Sequence, residues 1–144
     1  MYSKILVPVD GSEYSLRAME HAAHLAQALD ARVTLLHVLY IPPNLDTLRG
    51  KVGEAYNVVK EQITREGERL LKGIKEKCIN YPINCEEKLV WGDPAYEITR
   101  EGEEGKYDLI VIGGRGMGEI KGWILGSISR RVVRYAKCPV LVIK

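Results

Sequence analysis

Asp108 to Ser129 reads DLIVIGGRGMGEIKGWILGSIS. An unbroken apolar run, Leu109 to Ile112, empties into a glycine-rich loop, and Gly126-Ser127 opens a segment with helical patterning. Such a run fits a parallel strand covered on both faces, so the segment reads as strand, loop and helix of an α/β protein. The landmarks Gly113, Gly116 and Gly126-Ser127 are spaced G-x2-G-x9-G-S. Glycines let backbone N–H groups approach phosphate oxygens, and a helix N-terminus adds unpaired donors and a favourable dipole. A polyphosphate site is one reading. An ordinary flexible connection between strand and helix is the other.

Two common glycine loops are excluded. A Walker loop needs glycine-lysine followed by serine or threonine, and the chain contains no such triplet. A dinucleotide fingerprint beginning at Gly114 would continue through Gly116 but lacks its last glycine.

Working outward from this segment, strands alternate with helices. Ile5 to Val9 and Val33 to Val38 are short apolar strands, Cys85 to Trp91 is a third, and Pro139 to Ile143 closes the chain as a fifth. Ser12 can cap a first helix whose apolar face follows Leu16, Met19, Ala23, Ala26 and Leu29. Pro42-Pro43 breaks regular structure, and the loop from about 40 to 54 is long for a compact domain. A second helix carries Tyr56, Val59, Ile63, Leu70, Leu71, Ile74 and Cys78 on one face, weakened slightly by Gly67 and Gly73. Pro94 starts a third, and the helix after Gly126 turns Ile128, Val132, Val133 and Ala136 inward with Arg130, Arg131 and Arg134 outward.

At 144 residues the chain reads as one domain, 1–144, with 46% hydrophobic and 28% charged residues, an ordinary globular balance. A formal charge of +2 is too small to imply nucleic-acid binding. No apolar run approaches a membrane span, and Met1 to Lys4 leads into a strand rather than a signal peptide. Cys78, Cys85 and Cys138 have no metal-type spacing and read as thiols in a reducing cytoplasm.

Five landmarks in order resemble the universal stress protein family, in particular its ATP-binding branch. They are Lys4 to Glu13, Val33 to Val38, Gly92 to Ala95, the glycine motif, and Cys138 to Ile143. The resemblance implies an open five-stranded parallel sheet of order 3-2-1-4-5 with helices on both faces, Rossmann-like and of the adenine nucleotide alpha hydrolase type. In such sheets ligands bind beyond the carboxyl ends of strands where the order reverses, here between strands one and four. That crevice brings Pro8-Val9-Asp10 beside Gly113 to Gly116.

The resemblance implies ATP, with Mg²⁺, as the ligand. Backbone groups around Gly113, Gly116, Gly126 and Ser127 would hold phosphates, with the hydroxyls of Ser127 and Ser129 donating and Ile128 and Ser12 in the same set. Asp10 matches the family's acidic residue near the ribose and can alternatively hold Mg²⁺ through water. Pro8 and Val38 would line the adenine pocket. Arg115 can pair with a phosphate or stand as a solvated loop charge. Each role has a plainer alternative. Asp10 can cap the first helix with Ser12, His37 can be a satisfied core side chain, and His21 and His24 lack a third metal ligand.

No Ser-His-Asp set, metal-ligand cluster or carboxylate pair can be placed around the crevice. The expectation is therefore an ATP-dependent switch or binding module in stress response. A slow ATP-hydrolysing enzyme and a nucleotide-free structural stress protein are the alternatives. An apolar last strand without proline or charge within Val140 to Ile143 invites edge pairing, and the resemblance implies a homodimer through Pro139 to Ile143.

Overall fold

Beyond their N-terminal residues, the two central strands are apolar almost throughout because helices cover both of their faces. In the computed structural model, which describes residues 1–43, 53–116 and 125–144, these are β1 (Lys4–Pro8) and β4 (Leu109–Gly113). β2 (Arg32–Leu39), β3 (Asn84–Trp91) and β5 (Val140–Ile143) complete one sheet of order β3-β2-β1-β4-β5, with every neighbouring pair parallel. β1 pairs Ile5 with Val33 on one side and with Leu109 on the other. Strand starts fall one residue earlier than the apolar runs, at Lys4, Arg32 and Asn84, because polar residues at an open end still join the ladder. Val9 lies just past β1, yet its N–H still reaches the Leu36 carbonyl at 2.8 Å.

Among the described residues four helices connect the strands: α1 (Glu13–Leu29), α2 (Gly53–Cys78), α3 (Pro94–Glu104) and α4 (Ser127–Tyr135). The first and third have side-chain caps. Ser12 Oγ accepts from Ser15 N–H at 3.1 Å, and Asp93 accepts from Tyr96 N–H at 3.0 Å with Pro94 in the first turn.

Two apolar layers result. On one face α1 and α2 bury Met19, Ala22, Ala23, Leu71 and Ile74 against Ile5, Val7, Val33 and Val111. On the other, α3 and α4 bury Ile98 and Val132 against Leu6, Leu36 and Ile110. Two residues expected to face inward do not. Leu29 and Val133 are 47% and 45% exposed, the first in the last turn of α1 and the second on the outer side of the short α4. Gly67, expected only to weaken α2, is buried, and a Cβ there would strike Leu39 and approach His37. Its lack of a side chain lets α2 lie close on β2.

The amino end of the sheet is fastened by side chains. One oxygen of Asp108 accepts from Ser3 N–H, Ser3 Oγ–H and Lys4 N–H at 2.9, 2.9 and 3.0 Å, and Lys4 Nζ donates to the Gly105 carbonyl at 2.6 Å. The Ser3 hydroxyl and N–H hold the Asp108 carboxyl below the usual carboxylate range. The carboxyl end, by contrast, opens into a crevice. No helix of the described residues is long and apolar enough to cross a membrane.

Candidate functional site

At the carboxyl ends of β1 and β4 the strand order reverses, and the chain leaves in opposite directions on either side. This position holds a cavity of about 550 Å³, part of it open to solvent. Its floor and one wall are apolar: Pro8 and Ile112 from the central strands, Leu36 and Val38 from β2, and Ile98 and Ile128 from the helices. The other side is polar, formed by Asp10, Ser15, Gly113, Arg115, Gly116 and Ser129. An apolar slot continuous with a polar rim suits a ligand with one flat apolar end and one charged end.

The two loops that meet here are joined through Asp10. Its Oδ1 accepts the Ser12 N–H at 2.9 Å and closes the turn before α1, and the Asp10 N–H lies 3.4 Å from Ser15 Oγ. A Cβ on Gly116 would come within 2.7 Å of Asp10 Oδ2. The missing side chain thus lets the loop after β4 lie against the Asp10 carboxylate without displacing it. Gly113 behaves similarly, since a Cβ there would stand 2.8 Å from the Tyr14 backbone.

The start of α4 differs from the capped helices. Its N-cap is Gly126, and among the described residues no side chain accepts from the first-turn N–H groups. The first turn, with the positive end of the helix, adjoins the cavity that Ile128 and Ser129 line.

Of the residues read from sequence, Pro8, Val9, Asp10, Val38, Gly113, Arg115, Gly116, Ile128 and Ser129 line this cavity. Ser12, Gly126 and Ser127 do not. Ser12 is spent on capping α1. The Gly126 N–H, expected to face phosphate, instead donates to the Gly114 carbonyl at 2.7 Å. Ser129 Oγ, expected to donate to phosphate, is buried and donates to the carbonyls of Gly114 and Gly126 at 2.8 and 3.1 Å. Both groups fix the glycine loop against α4. Ser127 is exposed at the helix start. Residues 117–124 and 44–52, which include most of the long loop, lie outside the described residues.

His37 is satisfied, as a core residue should be: its Nδ1–H donates to the Val9 carbonyl at 2.7 Å. It also borders the cavity, with Ser15, Leu36, Pro94, Ile98 and Ile112, none of them named as a ligand-site residue from sequence. Leu36 and Ile112 follow from strand register once the sheet order is known. Pro94 and Ile98 required knowing that α3 crosses to this end. Asp93, the α3 cap, takes a two-point contact from Arg131 of α4, at 3.0 and 3.3 Å, which ties together the helices bearing Ile98 and Ile128. The Arg131 guanidinium, then the Tyr96 N–H, draws the Asp93 carboxyl below its ordinary value. His24 packs edge-on against Tyr81, and among the described residues there is no metal-type cluster.

A model of the universal stress protein family matches residues 1–144. This chain belongs to the universal stress protein family. A universal stress protein of Methanocaldococcus jannaschii, MJ0531, is 35% identical over 145 residues, covering 100% of this chain and 83% of that protein. The solved structure of MJ0577, from the same organism, matches with a TM-score of 0.86 at 30% identity, covering 100% of this chain and 96% of that one. A universal stress protein from Archaeoglobus fulgidus, solved in complex with dAMP, matches at 0.75 and 25% identity over 99% and 98% of the two chains. A family protein from Arabidopsis thaliana, solved with AMP bound, matches at 0.71 and 26% identity over 99% and 91%. Universal stress proteins of this fold therefore include proteins that bind adenine nucleotides.

Proposed function

We propose that this universal stress protein binds an adenine nucleotide, ATP with Mg²⁺, in the crevice between β1 and β4. One observation carries the reading: an uncapped helix N-terminus and a glycine loop meet Asp10 at the polar rim of an otherwise apolar cavity. Adenine occupies the apolar slot between Pro8, Val38 and Ile98, the ribose lies near Asp10, and the phosphates meet Gly116 and the first-turn N–H groups of α4. The AMP and dAMP complexes of related proteins support the ligand class.

Asp10 fits a supporting role for Mg²⁺. Oδ1 is turned to the Ser12 N–H, Oδ2 faces the Gly116 side, and no second carboxylate borders the cavity among the described residues. Mg²⁺ keeps several waters and is held largely by substrate phosphates, so one carboxylate acting through water suffices. When bound, the ion neutralises phosphate charge.

The protein works as a nucleotide-dependent binding module in stress response, as a cytoplasmic homodimer paired through β5. That strand is at the sheet edge, with Leu141 exposed, and contains no charge or proline to blunt pairing. The alternative class is an enzyme. Against it, the cavity offers a grip for phosphates but, among the described residues, no side-chain pair suited to activate a nucleophile, and uniform binding does not accelerate chemistry. The decisive experiment is to denature the purified protein, identify the released small molecule, and titrate the stripped protein with ATP and GTP. Release of ATP or ADP, with ATP preferred over GTP, is expected. Purified protein that carries no nucleotide and gives no heat with ATP at millimolar concentration overturns the reading.

A further inference from the structure

Tyr14 stands outside the glycine motif and outside the cavity lining, yet Arg115 of the rim rests on it. It lies in the first turn of α1, with its backbone against Gly113 at the end of β4. Two guanidinium groups stack on its ring: Arg17 Cζ is 4.8 Å and Arg115 Cζ 5.7 Å from the centroid. Arg115 Nη1 also donates to the Tyr14 hydroxyl at 3.4 Å.

The location gives this cluster its meaning. The phosphate-facing donors at the start of α4 belong to one face of the sheet, while α1, and Tyr14 with it, packs on the other. Arg115 crosses between them, lining the cavity while resting on Tyr14. In the nucleotide reading above, a phosphate adjoining the ribose would meet α4 and Gly116, and a longer phosphate chain would extend toward the Arg115 guanidinium. Arg17 adds a second positive charge at the ring, and its buried Nε has no hydrogen-bond partner among the described residues. Among the described residues Arg17 forms no ion pair. Two like charges on one aromatic ring repel each other, and an arriving anion relieves that repulsion.

We propose that Tyr14 is a positioning residue that sets phosphate-number specificity, presenting Arg115, backed by Arg17, to the terminal phosphate of a nucleoside polyphosphate. This rests on the adenine-nucleotide reading above and deepens it. Tyr14 acts through Arg115 rather than by touching ligand itself.

The test is isothermal calorimetry of the full chain with ATP and with AMP, for the wild type, Tyr14→Leu, Tyr14→Phe, Arg115→Gln and the Tyr14→Leu/Arg115→Gln double variant. Tyr14→Leu should weaken ATP about tenfold, on the order of one charge-assisted hydrogen bond, and AMP less than about twofold. Tyr14→Phe keeps the ring and should stay within about threefold of wild type for ATP. The double variant should be no worse than Arg115→Gln alone, because both changes remove one contact. Equal loss of ATP and AMP, or additive losses in the double variant, overturns the proposal while leaving nucleotide binding in place. Wild-type protein that binds neither ligand overturns the nucleotide reading itself, and this proposal with it.

Discussion

Gly116 and Asp10 lie about a hundred residues apart in sequence and meet across the mouth of the crevice, where a Cβ on the first would press on the carboxylate of the second. Gly116→Val should therefore reduce ATP affinity by more than about tenfold, since it fills the space a phosphate needs, while leaving the far-ultraviolet circular dichroism unchanged. Calorimetry showing wild-type affinity in that variant would remove the glycine loop from the site. The spacing of glycines was legible because backbone access has only one residue type that supplies it. What Ser129 and Gly126 do was not. Their groups bind the Gly114 carbonyl, a partner fixed only once the loop has folded back on the helix. A hydroxyl near a phosphate motif has the same appearance in sequence whether it meets ligand or backbone.

Among the described residues the helices follow the apolar stripes in order, least closely where a stripe meets no neighbour. Leu29 and Val133 sit at helical spacing yet remain exposed, because periodicity marks an apolar position without saying what covers it. The two glycines of α2 separate propensity from packing. Gly73 faces open space, so Gly73→Ala should raise stability by about 0.5–1 kcal/mol. Gly67→Ala should lower it, because the added methyl strikes Leu39. Denaturant midpoints at constant slope distinguish the two signs. The α3–α4 tie has its own pH dependence. Asp93 has a lowered folded value, so its contribution is fully present above the ordinary carboxylate value of about 3.9 and is lost as pH falls through the folded value below it. Arg131→Gln should thus change neutral stability by less than about 1 kcal/mol, as expected of an exposed pair, while moving acid unfolding to higher pH. An unchanged acid midpoint would mean the pair stabilises neither helix.

At the scale of the molecule, the sheet order and the position of the crevice follow from one strand-loop-helix segment plus the family resemblance. The wall contributed by α3 did not, since spatial neighbours across a sheet leave no mark in linear spacing. Among the described residues the crevice is lined by no paired acid and base, so on the proposed reading turnover of ATP with Mg²⁺ should be well below the order of 1 s⁻¹. A steady-state assay giving several turnovers per second, abolished by Asp10→Ala, would favour the enzyme. Assembly is the second prediction at this scale. Pairing through β5 should give a dimer by light scattering at micromolar concentration, and Leu141→Lys on the exposed side of that strand should yield monomer. A wild-type monomer would reject the pairing.

The Asp108 fastening of Ser3 and Lys4 sits at the end of the sheet opposite the crevice. Rigidity and recognition are thereby assigned to different ends of the same strands. Such a division gives sequence drift two nearly independent lanes: changes that reinforce the amino end can compensate for losses elsewhere without disturbing the loops that face a ligand. For an engineer, the practical result is that thermal tolerance can be raised from the Ser3–Asp108 side while the specificity of the other side is redrawn.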